Sequence, residues 1–172
     1  MKHRLLAIKL LLLDVDGVLT DGRIIYTDSG EQVKAFHASD GLGLRLLLNA
    51  GIKVGLITGR KATGALKHRL DNLGIDLIFD GIIDKASVLD EIRQRTGIPA
   101  EETAYAGDDL IDLPVLTRAG LAVAVANACD EVKAKSHLVL DRRGGSGAVR
   151  ELCEILLKAQ GLWQPALDRF MT

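Results

Sequence analysis

Two carboxylates, Asp14 and Asp16, stand two residues apart directly after the apolar run Leu10–Leu13. Ionised carboxylates that close repel one another and are tolerable only beside a cation, a proton or water. A hard divalent ion suits them, because Mg²⁺ prefers oxygen ligands. Three later points carry related chemistry: Thr58-Gly59-Arg60, Asp84-Lys85, and Gly107-Asp108-Asp109 with Asp112 one turn further on. Asp14, Asp16 and Asp108 together resemble a divalent-cation site made of oxygens. The Lys85 ammonium and the Thr58 hydroxyl are the complementary parts that a phosphoryl group in transfer needs. Each residue alone has an ordinary reading. Lys85 suits a solvated helix, Thr58 and Asp108-Asp109 suit helix caps, Asp112 suits a helix first turn, and Arg60 suits a surface ion pair. These readings weaken jointly if one edge of the fold collects all the residues.

The elements between these points supply such an edge. Leu5–Leu13 reads as strand one, a buried run ended by a turn signal. Arg23–Tyr26 and Glu31–Phe36 read as a hairpin around the turn Thr27–Gly30, inserted directly after the acidic pair. A helix over about 41–49 follows, with Asp40 as its N-cap and Gly51 closing it. Lys53–Ile57 is the next strand, leading into Thr58. A helix over about 61–72 places Ala62, Leu66, Leu70 and Leu73 on one face, and Ile75–Phe79 is a third core strand. Lys85–Thr96 is helical, Thr103–Ala106 is a strand, and Leu110–Ala119 is helical. Leu121–Val125, the helix 130–135 and the strand Leu138–Leu140 complete the alternation. A basic glycine-rich loop, 141–147, reads as flexible before the last clear helix, 148–160. Strand then helix, repeated, predicts an α/β fold: a doubly wound, mostly parallel Rossmann-like sheet with helices on both faces and a small β-hairpin insertion after strand one. In such a sheet all the strand ends that carry the polar groups lie on one edge, where ligands bind. The organisation expected is a single domain over residues 1–172, with the hairpin at 23–36 inside it and a C-terminal tail at 161–172.

Composition bounds the function classes. The chain has 172 residues and a formal net charge of -1. No basic block or nucleic-acid motif is present, so no nucleic-acid partner is expected. Lys9, Asp14 and Asp16 interrupt what would otherwise resemble a signal sequence, and no segment reaches the roughly 20 apolar residues of a membrane span. Cys129 and Cys153 lack partners at metal spacing and read as buried free thiols, so a reducing, cytoplasmic compartment is expected.

The four polar points, in this order, resemble the motifs of the haloacid dehalogenase superfamily of phosphohydrolases. Asp14-Val15-Asp16-Gly17-Val18 matches the first, Thr58 in Ile57-Thr58-Gly59-Arg60 the second, Lys85 the third, and Gly107-Asp108-Asp109 with Asp112 the fourth. Further stretches are similar to a capless subclass of sugar-acid phosphatases: Asp21-Gly22, Val33–Phe36 with Asp40-Gly41, and Arg143–Glu151. The resemblance implies a Mg²⁺-dependent phosphatase acting on a small phosphorylated sugar acid of eight carbons. It also implies a homotetramer whose sites are completed by neighbouring subunits. Asp14 is then the nucleophile, and Asp16 protonates the leaving alkoxide and later deprotonates water. Mg²⁺ lies on Asp14, Asp108 and the backbone carbonyl of Asp16. Thr58 and Lys85 hold phosphate oxygens, with backbone help near Gly59. Asp109 and Asp112 are auxiliary, Asp109 ranking first. Arg60 is the candidate for the sugar carboxylate, with Lys34 and Arg143 behind it. The alternatives are a nine-carbon sugar acid 9-phosphate, a broad small-metabolite phosphatase, and a non-enzymatic receiver-like or scaffold module. Strand order separates the receiver from the rest.

Overall fold

Four consecutive leucines, Leu10–Leu13, are wholly buried because the strand they form has neighbours on both edges and helices on both faces. A parallel sheet covered on both sides demands such a continuous apolar run rather than an alternating one. Each leucine side chain buried this way contributes on the order of 2 kcal/mol. The structure, a computed structural model, describes residues 1–171.

Helix α1 (Lys2–Ala7) precedes this strand, β1 (Leu10–Leu13). The hairpin strands β2 (Ile25–Tyr26) and β3 (Gln32–Val33) follow, then α2 (Ala38–Asn49), β4 (Lys53–Thr58), α3 (Gly64–Leu73) and β5 (Leu77–Asp80). A 3₁₀ turn, Lys85–Val88, runs into α4 (Leu89–Thr96) ahead of β6 (Thr103–Gly107). A further 3₁₀ turn, Leu110–Asp112, follows β6 and runs into α5 (Leu113–Leu116). Then come β7 (Leu121–Ala124), α6 (Asp130–Lys135), β8 (Leu138–Val139), α7 (Ala148–Ala159) and α8 (Trp163–Asp168).

The main sheet has six parallel strands in the order β5-β4-β1-β6-β7-β8, and the antiparallel hairpin stands apart from it. This is the doubly wound order in which the chain leaves a central first strand in one direction and returns to its other side. A receiver-type sheet runs in a different order, so that alternative fails on topology. The switch point lies between β1 and β6. Leu13 pairs with Leu56 of β4 on one side and with Ala106 of β6 on the other. Asp14, Thr58 and Asp108 therefore emerge at nearly the same level from three adjacent strands.

Several expectations need correction. Asp40 does not cap α2, whose N-cap is His37; it lies inside the first turn, and its carboxylate instead accepts from Arg150 N–H on α7. Strand one begins at Leu10, and Lys2–Ala7 is helical. The Gln160 side-chain amide donates to the carbonyls of Leu5 and Ile8, which ties the end of this helix to the C-terminal end of α7. The helix after β6 stops at Leu116 and starts as a 3₁₀ turn, because the Asp112 side chain folds back onto the backbone N–H groups of Asp108 and Asp109. The glycine-rich loop is docked rather than free. Gly144 N–H donates to Asn127 Oδ1 at 2.6 Å and Gly145 N–H donates to the Val18 carbonyl at 3.1 Å. Among the described residues no helix is long and apolar enough to cross a membrane.

Candidate active site at the sheet switch point

Asp14 follows the last residue of β1, and its N–H donates to the Ala106 carbonyl at 3.0 Å, which holds it beside the end of β6. The chain then turns tightly: the N–H groups of Leu19 and Thr20 both return to the Val15 carbonyl. Gly17 stands in this turn with a φ of 98°, and a Cβ there would lie 2.0 Å from Asp108 Oδ2. Glycine is required twice over, by the backbone and by the carboxylate that leans against it. The turn is pinned from behind, where Asn127 Nδ2 donates to the Gly17 carbonyl at 2.9 Å while its Oδ1 accepts from Gly144.

Lys85 reaches this edge from the loop after β5, where Asp84 caps the 3₁₀ turn by accepting from Ala86 N–H. Its side chain is 0% exposed. The ammonium donates to Asp14 Oδ1 at 2.5 Å, to Asp112 Oδ1 at 2.6 Å and to the Tyr105 hydroxyl at 3.2 Å. Burial works against the charge on Lys85, but Asp14 and Asp112 outweigh it and hold its pKa above the usual lysine value. Burial, opposed by Lys85 and reinforced by Asp112, pushes the Asp14 carboxyl up to about 7. Burial and the neighbouring Asp14, Asp112 and Asp109 also push Asp108 up to about 7.

Carboxyl oxygens of Asp14, Asp108 and Asp112 all lie within 4.8 Å of one another. The three are not equivalent as ligands. Asp112 Oδ1 already accepts from Lys85 and Tyr105, and Oδ2 accepts from the N–H groups of Asp108 and Asp109. A carboxylate offers about four acceptor positions, so Asp112 is fully used. Asp14 and Asp108 keep lone pairs free and repel one another, which is the donor set a hard divalent cation takes. The residues at this point fit such an ion.

The other residues singled out from the sequence divide into those gathered here and those left at the margin. Thr58 is buried at the end of β4, its Oγ1 accepting from Arg60 N–H at 3.4 Å. Asp16 pairs through Oδ1 with Lys34, whose side chain is only 4% exposed, and through Oδ2 with Arg60 Nε at 3.7 Å. Lys34 thereby ties the hairpin stem to the carboxylate that follows β1. Gly59 is not demanded by packing, since a Cβ there would meet only the Ile82 carbonyl at 3.7 Å. Arg143 is exposed beside the docked Gly144. Asp109 is exposed and caps the turn after β6, whereas Asp112 is the buried member at the centre of the network. Sequence reasoning missed Tyr105 and Asn127. A tyrosine flanked by alanines in the short strand Thr103–Gly107 was a signal, because a buried hydroxyl needs a partner. Asn127 carried no signal, since its two bonds span residues 110 and 17 positions away.

Comparison with known proteins places this geometry among relatives. The haloacid dehalogenase-like hydrolase family matches residues 74–152. The 3-deoxy-D-manno-octulosonate 8-phosphate phosphatase of Haemophilus influenzae is 43% identical over 161 residues, covering 94% of this chain and 89% of that protein. The enzyme of the same description from Escherichia coli is 46% identical over 154 residues, covering 90% of this chain and 81% of that protein. A crystal structure of the Moraxella catarrhalis phosphatase, in complex with magnesium, phosphate and KDO, superposes with a TM-score of 0.95. It is 41% identical and covers 98% of this chain and 97% of that one.

Proposed function

This chain belongs to the haloacid dehalogenase superfamily, on its 3-deoxy-D-manno-octulosonate 8-phosphate phosphatase branch, and we propose that it hydrolyses that ester to the free sugar acid and phosphate in a Mg²⁺-dependent reaction. The observation that carries the reading is the trio at the switch point: the buried Asp14 and the half-buried Asp108 with free lone pairs, and the buried Lys85 2.5 Å from Asp14.

In this reading an Asp14 oxygen attacks phosphorus while the bond to the sugar oxygen breaks, and Asp16 gives its proton to that leaving oxygen. An aspartyl-phosphate results. Water then attacks the same phosphorus and yields its proton to Asp16. The bond to Asp14 breaks, and phosphate leaves with the carboxylate restored. Thr58 and Lys85 hold the non-bridging oxygens. Asp14, Asp108 and the backbone carbonyl of Asp16 would hold the divalent ion, which supplies charge to offset that of the phosphoryl oxygens. Asp109 and Asp112 act from behind these groups. Arg60, Lys34, Gly59 and Arg143 are the proposed contacts to the sugar acid, Arg60 taking its carboxylate.

The same reading includes one domain over residues 1–172, a cytoplasmic location and a homotetramer whose neighbouring subunits help close each site. In support of assembly, Ile25, Tyr26 and Val33 of the hairpin are exposed, and a short hairpin with an apolar surface favours a partner. The C-terminal helix α8 is anchored on its own chain, since Trp163 sits under both Arg150 and Lys158, at 5.6 and 5.0 Å.

Phosphate release from a panel of phosphorylated sugars and sugar acids tests the reading, with and without Mg²⁺, for wild type and Asp14→Asn. Preference for the eight-carbon 8-phosphate, lost with EDTA and in the variant, is the expected result. Broad Mg²⁺-dependent release, or preference for a nine-carbon 9-phosphate, would keep the chemistry and remove the substrate. No release by folded, metal-loaded protein would overturn the reading.

A further inference from the structure

One hydroxyl in the buried network has no role in the chemistry above. Tyr105 lies in the middle of β6 and is 0% exposed. Its hydroxyl donates to Asp112 Oδ1 at 2.6 Å and accepts from Lys85 at 3.2 Å. For packing alone a phenylalanine ring would serve as well, and it would spare the fold a buried polar atom.

Donor and acceptor capacities show what the hydroxyl completes. A lysine ammonium has three N–H groups. Before substrate binds, those of Lys85 go to Asp14, Asp112 and Tyr105, and the one on Asp14 is the donor that turns to a phosphoryl oxygen once Asp14 bonds phosphorus. Asp112 likewise fills its acceptor positions with Lys85, Tyr105 and the two backbone N–H groups of Asp108 and Asp109. Without the tyrosine hydroxyl, Asp112 Oδ1 keeps one donor and Lys85 gains an unused one, both away from solvent. The carboxylate then loses one of its four restraints, the one that sets Oδ1 against Lys85. Whatever turns Asp112 moves two things at once: the ammonium set against Asp14, and the backbone that presents Asp108.

We propose that Tyr105 is a positioning residue for the phosphoryl-transfer site, its hydroxyl fixing the Asp112 carboxylate and thereby both the Lys85 ammonium and the Asp108 turn. This rests on the phosphatase reading of the site, and the tests below separate the two. Buried partners one shell out from a metal site shift metal affinity or turnover by roughly 10–100-fold when removed.

The experiment is Tyr105→Phe, which keeps the ring and removes one oxygen. Mn²⁺ binding, followed by electron paramagnetic resonance without substrate, should weaken by about tenfold. Turnover should fall by about tenfold or more, while KM for the sugar acid phosphate stays within about twofold. If the hydroxyl only stabilised the fold, the variant would lower the melting temperature and leave metal affinity and kcat in place. Metal affinity and kcat both within about twofold of wild type would overturn the proposal. A cycle with Asp112→Asn, read as Mn²⁺ affinity, tests the route. Tyr105→Phe should have no further effect in that background, and a full additive loss there would overturn action through Asp112. If the wild type releases no phosphate from any ester, the phosphatase reading falls, and the Mn²⁺ measurements still decide the role of Tyr105.

Discussion

Raising the pH of the metal-free protein from about 5 to about 8 should destabilise it, and Mg²⁺ should abolish or reverse the trend. Burial, opposed by Lys85 and reinforced by Asp112, takes the Asp14 carboxyl from an ordinary 3.8 up to about 7. Between those values the folded chain binds more protons than the unfolded one, so stability falls as pH rises. The contribution is complete below the unfolded value and is lost as pH climbs through the folded value. Each pH unit of that gap is worth about 1.4 kcal/mol, so Asp14 alone accounts for about 3 kcal/mol between about pH 5 and about pH 7. Asp108 is pushed up to about 7 by burial and by Asp14, Asp112 and Asp109, so it acts in the same direction. The two share one repulsion, and their sum is less than twice the single value. Asp40 is likewise raised by burial, and its contribution has the same sign. His137, lowered by burial, opposes it but is exposed and contributes little. For a chain of this size about 3 kcal/mol is roughly 6–12 °C in Tm. Thermal melts by circular dichroism in EDTA and in excess Mg²⁺, at both pH values, read this out. Asp14→Asn should flatten the metal-free slope, since it removes a titrating group and relieves Asp108. A metal-free Tm that is level or rises with pH, or the same slope with Mg²⁺ present, would refute the electrostatic account of the site.

Two further substitutions test how the site is braced. Gly144→Ala would place a methyl carbon 1.7 Å from the Gly17 carbonyl oxygen, so the glycine-rich loop must withdraw from the turn after Asp14. A loss of about 1–3 kcal/mol in urea denaturation is expected, together with reduced kcat, and an unchanged variant would deny that the loop supports the turn. Asp40 is buried on α2, and its Oδ1 accepts from Arg150 N–H at 2.7 Å, near the start of α7 where Gly147 offers no capping side chain. Asp40→Ala should cost about 1–2 kcal/mol, as for a lost helix cap. Asp40→Asn keeps the acceptor and removes a buried charge, so it should cost less than Asp40→Ala wherever the wild-type carboxyl is ionised. Equal losses in the two variants would refute the capping role.

The parallel sheet was legible because its strands are short apolar runs ended by polar turns, and parallel connectivity then gathers the ends of β1, β4 and β6 on one edge without further information. The hairpin was legible for a similar local reason, the turn Thr27–Gly30 between two runs of extended character. What escaped depends on contacts between distant residues. Lys2–Ala7 reads as an extension of β1 until Gln160 takes the carbonyls of Leu5 and Ile8, more than 150 residues away. Glycines at 144 and 145 read as freedom, whereas the structure uses their missing side chains for close approach to Gly17, Thr20 and Asp21. Asp112 reads as a first-turn charge favoured by the helix dipole, and that reading places Asp109 ahead of it. Only the fold shows Asp112 buried with Lys85 and Tyr105 around it. Residue types announced the chemistry, but the order in which they depend on one another belongs to the packing.

The charges of the buried network assign separate tasks to its inner and outer parts. When ionised, Asp14, Asp108 and Asp112 carry three negative charges against the single positive charge of Lys85. Two negative charges remain, and one divalent cation balances them. With its carboxylates ionised the interior is therefore neutral only when loaded with metal, and it has no surplus positive charge with which to attract an anionic substrate. Attraction must come from the outer side, where Lys34 and Arg60 flank Asp16 and Arg60 is 46% exposed. Their pairing with Asp16 leaves a net positive charge at the mouth, suited to a substrate carrying both a phosphate and a carboxylate. In the proposed mechanism, chemistry and substrate choice meet only at Asp16, which Lys34 and Arg60 both hold. Changes at Tyr105 or Asp112 act on the metal and on turnover for every ester alike. Changes at Arg60 are expected to alter which ester is accepted and, through Asp16, turnover, while the metal affinity set by Asp14 and Asp108 stays in place, because that guanidinium pairs with Asp16 and with neither of those carboxylates.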